Sequence, residues 1–184
     1  MAFSANNQQQ VSLDDNFNRL SDRTKKFILD SWAGPFADKI FPAINEERFA
    51  KLYSSNAFSR HNTPVNIVVA SLLLKDVLRL TDDELLLNIL TDVKYQYALH
   101  TTSYEEQPVS DRTLSRFRKR LYDHEIETGE DLMKEEMLAI ADKMVTFMKI
   151  NPTLKRMDSV MVASSCKRMS RLEIVYTCIS NLIR

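Results

Sequence analysis

The sequence predicts a mostly α-helical protein, with one short strand and a further helix near its end. Three observations carry that expectation. The 184 residues contain only 2 Gly and 5 Pro, too few for a turn-rich sheet protein, while 44% hydrophobic residues suffice for a core. Apolar residues recur at helical spacing behind residues that cap helices, segment after segment. The stretch Leu154-Lys155-Arg156-Met157-Asp158-Ser159-Val160-Met161-Val162-Ala163 breaks this habit: it alternates, and it holds a single carboxylate among apolar and small residues.

The elements follow in order. Met1 to Gln10 has neither a basic start nor an apolar centre, so residues 1–16 read as a polar, disordered leader and not as a signal peptide. Ser21 caps a first helix from Asp22 to about Trp32, which Gly34-Pro35 should stop. Asn45 caps a second, with Glu46 and Glu47 in its first turn and Phe49, Leu52 and Tyr53 as its apolar face. Pro64 opens a core helix at Val65. That run is broken by Asn66, Ser71, Lys75, Asp76 and Arg79, so it is not a membrane span, and a cytoplasmic location follows. Thr81-Asp82-Asp83-Glu84 has capping-box spacing and leads Leu85, Leu86, Ile89 and Leu90. Thr91-Asp92 starts a short helix to Leu99, and Thr101 to Pro108 is loop.

Ser110 then caps a helix with Leu114, Phe117 and Leu121 on one side. A long helix from about Glu125 carries Ile126, Met133, Met137, Ile140, Met144 and Phe147, until Asn151-Pro152 ends it. The strand comes next, and after Arg168 a last amphipathic helix holds Leu172, Val175, Ile179 and Leu182. Residues 17–150 thus form a helical domain, and 151–184 the start of a second one.

Charge is balanced in total but sorted along the chain. Acids outnumber bases from Pro64 to Ser110, and bases outnumber acids from Pro152 to Arg184. Cys166 and Cys178 lack metal-ligand spacing and read as buried thiols, and His61, His100 and His124 are too scattered for zinc. Gly34 and Gly129 leave no phosphate-cradling glycine loop.

The helix Ser110-Asp111-Arg112-Thr113-Leu114-Ser115-Arg116-Phe117-Arg118-Lys119-Arg120-Leu121 is the strongest binding signal. Arg112, Arg116, Arg118, Lys119 and Arg120 crowd cations into three turns, and Ser110 and Thr113 add hydroxyls near its start. Arginine presents forked donors that fit phosphate oxygens or a guanine edge. The same residues also fit a solvated basic face paired with Asp123, Glu125 and Glu127. Too many residues separate this helix from the one at Thr81 for a tight helix-turn-helix. Asp158 is equally open: on an apolar strand face a carboxylate needs either a basic partner such as Arg156, Lys167 or Arg168, or a divalent metal.

Taken in order, the helical domain, the helix from Ser110 to Leu121, the run Met157-Asp158-Ser159-Val160-Met161-Val162 and the helix opened by Met169-Ser170-Arg171-Leu172-Glu173 resemble the N-terminal portion of insertion-sequence DDE transposases. The resemblance runs from about Leu20 to the end, and it rests on several segments in order. It implies that the helical domain binds double-stranded DNA at the transposon's terminal inverted repeats. It also implies that an RNase H-like domain begins with the strand, placing the family's first catalytic, Mg²⁺-binding Asp at Asp158. The family's second Asp and its Glu have no counterpart, and Glu173 takes neither role. A two-metal site needs several oxygen ligands to hold ions ~3.5–4 Å apart. The chain is therefore expected to bind DNA without cutting or joining it alone, and to need no cofactor for that. The alternatives are an interaction module that forms homo-oligomers or inhibits full-length transposase through the apolar face of Leu172, Val175, Ile179 and Leu182, and a decayed remnant.

Overall fold

The computed structural model describes residues 1–6, 15–54 and 62–149, and over these residues the protein is mostly helical, with no strand among them. The expected strand with Asp158, the amphipathic helix beyond Arg168, and both cysteines lie outside the described residues.

The architecture grows from one helix. Helix α3 (Val65–Leu78) is apolar on nearly every side, and such a helix must be enclosed. Val65, Ile67, Val69 and Ala70 are fully buried, and Val68 and Leu74 almost so. Polar residues inside it therefore need internal partners. The Ser71 hydroxyl donates to the Ile67 carbonyl at 2.7 Å, and the Asn66 amide oxygen accepts from the Asn6 side chain at 3.1 Å. Pro64 takes the cap position, and Arg79, at φ 55°, turns the chain out while the Leu80 N–H returns to the Lys75 carbonyl at 2.9 Å.

Capping side chains set the other starts much as their spacing predicts. Ser21 accepts from the Thr24 N–H at the start of α1 (Asp22–Leu29). Thr81 and Glu84 form a reciprocal capping box on α4 (Asp82–Thr91), with Glu84 accepting from the Thr81 N–H at 2.8 Å. Asp92 caps α5 (Val93–Ala98), and Ser110 caps α6 (Asp111–Thr128). After Asn45, the segment Glu46–Leu52 winds as a 3₁₀ helix, and Phe49 is fully buried on its apolar side.

Two boundaries differ from the sequence expectation. Helix α1 ends at Leu29, and Gly34-Pro35 lies inside α2 (Ala33–Pro35), where helical winding continues through a π turn (Phe36–Ile40) and a 3₁₀ turn (Phe41–Ala43). A proline in the first turn removes an N–H that has no helical partner anyway. Gly34 is required by packing, since a Cβ there would collide with the Leu29 carbonyl oxygen. The second difference concerns the long helix expected from about Glu125. Helix α6 runs on to Thr128 and stops at Gly129, whose φ of 76° is the left-handed C-cap conformation. Asp131 then caps α7 (Leu132–Phe147), accepting from the Lys134 N–H at 2.9 Å. Ile126 thus belongs to α6 and is exposed, whereas Ile140 is buried and Met133, Met137 and Met144 pack on the core.

Helix α7 is held to the rest by a buried acid. Glu136 is fully buried; it accepts from the Asn45 N–H and from Arg48 Nε, each at 2.7 Å, while Arg48 Nη1 reaches Glu135 at 2.7 Å. One carboxylate therefore joins the start of the Glu46–Leu52 turn to α7. No described helix is long and apolar enough to cross a membrane. Removing Arg48 strands a buried negative charge, which is strongly destabilising. Arg48→Ala is expected to lower unfolding stability by about 3 kcal/mol, read as a shift of the urea midpoint followed by circular dichroism.

Candidate nucleic-acid interface

Helix α6 rests on the core through Leu114 and Phe117, both buried, and through half-buried Leu121; the Phe117 ring lies 5.7 Å from that of Phe49. This packing fixes the helix's rotation and so decides where its five cations go. Residues 112, 116 and 120 recur every fourth position and spread over ~12 Å of helix length on one flank. Together they line a cleft of about 270 Å³. Arg112 and Arg116 are exposed and have no acidic partner among the described residues. Arg120 is held over the Tyr53 ring, its Cζ 4.6 Å from the centroid, and its Nη2 lies 3.3 Å from the Met1 sulfur.

The hydroxyls of Ser110 and Thr113, 3.0 Å apart, also line it. Of the other lining residues, Val68 and Phe117 are buried and Tyr53 is half-buried. Burial raises the Tyr53 phenol above its usual range, opposed by the nearby Arg120 charge. Part of the wall comes from the first residues. Ala2 pairs in a parallel bridge with Ser54, the Ser4 N–H donates to Asn62 at 2.7 Å, and the Asn6 N–H donates to buried Glu46 at 3.2 Å. Desolvation raises the Glu46 carboxyl despite these N–H donors.

The other two cations are placed differently. Positions 118 and 120 are ~200° apart around the helix. Arg118 leaves by the far flank and makes a two-pronged pair with Asp82, at 2.6 and 2.7 Å, while Lys75 reaches the same carboxylate at 2.8 Å. One acid on α4 thus gathers cations from α3 and α6. Lys119 is largely exposed and pairs with Asp123 one turn on, at 3.3 Å. Linear spacing shows neither the Asp82 pairing nor the presence of Met1, Tyr53, Asn62 and Thr63 around the arginines. Tyr53 was legible only as part of an apolar face.

A second cavity, about 100 Å³, lies between Asp15, Asp38, Tyr97, His100 and Thr102. Asp15 accepts from the Thr102 hydroxyl at 2.7 Å. His100 stacks on Phe41 at 4.4 Å with Nε2 3.1 Å from the Ala37 carbonyl, and burial pulls its pKa below the usual imidazole value. It is a half-buried histidine packed on Phe41. Among the described residues no group of three or more His, Cys, Asp or Glu side chains is arranged to hold a metal ion.

The described fold is a helical domain whose sixth helix lines an arginine-walled cleft. Residues 24–120, from within α1 to Arg120 of α6, match the family described as Transposase domain (DUF772). The match covers more than half of the chain, and the protein belongs to that family. No curated protein and no solved structure matches it.

The Asp82 pairing makes a measurable difference to acid stability. Hydrogen bonds from Arg118, and then from Lys75, hold the Asp82 carboxyl well below the usual carboxylate range. A depressed folded pKa means stability that is complete above the unfolded value of about 3.9 and drains as pH falls toward the folded one. Arg118→Met is expected to cost about 1 kcal/mol at neutral pH and to flatten the loss of stability below about pH 4, in urea titrations run across that range.

Proposed function

We propose that the helical domain, residues 17–150, binds double-stranded DNA at the terminal inverted repeats of a transposable element. The observation that carries this is the row Arg112, Arg116 and Arg120 along one cleft, the first two free of any acidic partner among the described residues. Unpaired guanidinium groups on a rigid helix meet phosphate oxygens without first having to break an ion pair. Membership of a transposase family makes DNA the polyanion of choice. In this arrangement Arg118 is a positioning residue that pins α6 through Asp82, and Lys119 adds general positive charge beside the row.

Asp158 belongs to the proposal as the position of a first Mg²⁺-binding carboxylate in an RNase H-like domain. Asp158 lies outside the described residues. The apolar face of Leu172, Val175, Ile179 and Leu182, on which association with a second copy or with full-length transposase would rest, lies there too.

Binding is tested by fluorescence anisotropy with labelled duplexes taken from the DNA on either side of the coding sequence, and with scrambled duplexes of equal length. Salt-sensitive binding that prefers the flanking sequences is expected. Each phosphate contact contributes about 0.9 to the slope of log K against log salt, so Arg112→Gln with Arg116→Gln should reduce its magnitude by about 2. Absence of salt-dependent binding, or a slope untouched by the double substitution, overturns the proposal.

A further inference from the structure

We infer that the arginine-lined cleft takes an unpaired nucleotide of a DNA strand, with its phosphate at Arg112 and Arg116 and its base laid against Arg120. This deepens the DNA-binding proposal above and rests on it. Three features separate the cleft from a simple phosphate-binding surface.

The first is size. At about 270 Å³ the cleft exceeds the ~150 Å³ cavity that takes up a benzene ring in another protein. A phosphate group alone leaves most of that space to solvent. The second is the mixed character of the lining. Exposed Arg112 and Arg116, which have no acidic partner among the described residues, and the Ser110 and Thr113 hydroxyls share the cleft with buried Val68 and Phe117 and the half-buried ring of Tyr53. A nucleotide has the same two-part chemistry, an anionic phosphate joined to a flat, weakly polar base. The third is a cation–π contact already in place. Arg120 sits over Tyr53 with its Cζ 4.6 Å from the ring centroid, so an aromatic ring holds the guanidinium beside the cleft. Arginine planes and aromatic rings are the surfaces on which unpaired bases stack.

The polar lining residues also bear on the kind of recognition. Asn62 accepts from the Ser4 N–H at 2.7 Å and donates to the Thr63 carbonyl at 2.8 Å, so one lone pair and one N–H of its amide are already used. A base in this cleft is held mainly by stacking. Sequence tolerance follows, because every base has a π-face. A paired base cannot lie flat on Arg120 without leaving its duplex, so the favoured ligand is a frayed or single-stranded nucleotide joined to duplex DNA.

The test compares four probes against the whole chain by anisotropy: a blunt duplex, the same duplex with a short single-stranded tail, that duplex with abasic sites throughout the tail, and a free deoxynucleoside monophosphate as competitor. The base-bearing tail is expected to bind roughly tenfold more tightly than the abasic one, with purine and pyrimidine tails alike within a few-fold. Arg120→Lys keeps the charge but removes the plane, and it should bring the ratio of base-bearing to abasic binding close to one. Arg112→Gln should weaken every probe and leave that ratio standing. Equal affinity for blunt, tailed and abasic-tailed duplexes overturns the inference while leaving duplex binding intact. So does a free monophosphate that displaces the tailed duplex as effectively as a tailed competitor, since the cleft would then be a site for isolated nucleotides. Failure of all the duplex probes to bind in a salt-dependent way overturns the DNA-binding proposal itself, and this inference with it.

Discussion

The constraint on which the described structure depends is the burial of the first ten residues of α3, where every residue but half-buried Leu73 is buried. A helical stretch that is apolar on nearly every side has no face to offer water, so other segments must wrap it. Helices α4 and α6 and the Glu46–Leu52 turn all pack on it. Its two buried polar residues then impose order on what surrounds them. Ser71 satisfies itself within the helix, but Asn66 reaches out to Asn6 and so draws the first residues of the chain into the fold. The wall that Met1 and Asn62 give the cleft descends from that requirement.

Two carboxylates divide the basic residues into those that hold the fold together and those that remain available. Glu136, buried and doubly engaged, uses Arg48 to fasten α7. Asp82 uses Lys75 and Arg118 to fasten α6 against α3 and α4. Both are positions where removing the partner would leave a charge poorly compensated. Arg112 and Arg116 face no such acid among the described residues. The difference between a structural and an available arginine on this helix is therefore geometric. It is set by which flank each residue takes once Leu114 and Phe117 are seated in the core.

Family membership and the cleft bear on function from separate directions. The match to the transposase domain, residues 24–120, takes in every residue that lines the cleft except Met1. The geometry adds what a family description does not state, namely which arginines have no acidic partner among the described residues and which side chains share their cleft. A cleft that joins exposed cations to buried apolar and aromatic side chains is more than electrostatic steering requires, and this excess is what points toward a nucleotide and not a bare phosphate.

Much of the fold was legible from local chemistry. Ser21, Asn45, Thr81, Asp92 and Ser110 cap helical segments where their spacing places them, because capping is a hydrogen bond within a few residues of sequence. The burial of α3 and the apolar stripe of α6 were equally legible, since helical periodicity is local. Boundaries governed by backbone conformation were less so. Gly34-Pro35 and Gly129 carry similar local signals, and only packing against Leu29 makes Gly34 part of a continuing helix, while Gly129 stops one. The five cations of α6 were visible as a group, but their separate fates were not. Asp82 lies 36 residues from Arg118, and Tyr53 comes from a segment far earlier in the chain than Arg120. The sequence by itself determined the mostly helical class and the helix starts at Ser21, Thr81, Asp92 and Ser110. Which arginines lack an acidic partner among the described residues, and that they share a cleft with Tyr53, was decided only by the tertiary structure, because pairing depends on the rotation of one helix against partners distant in sequence.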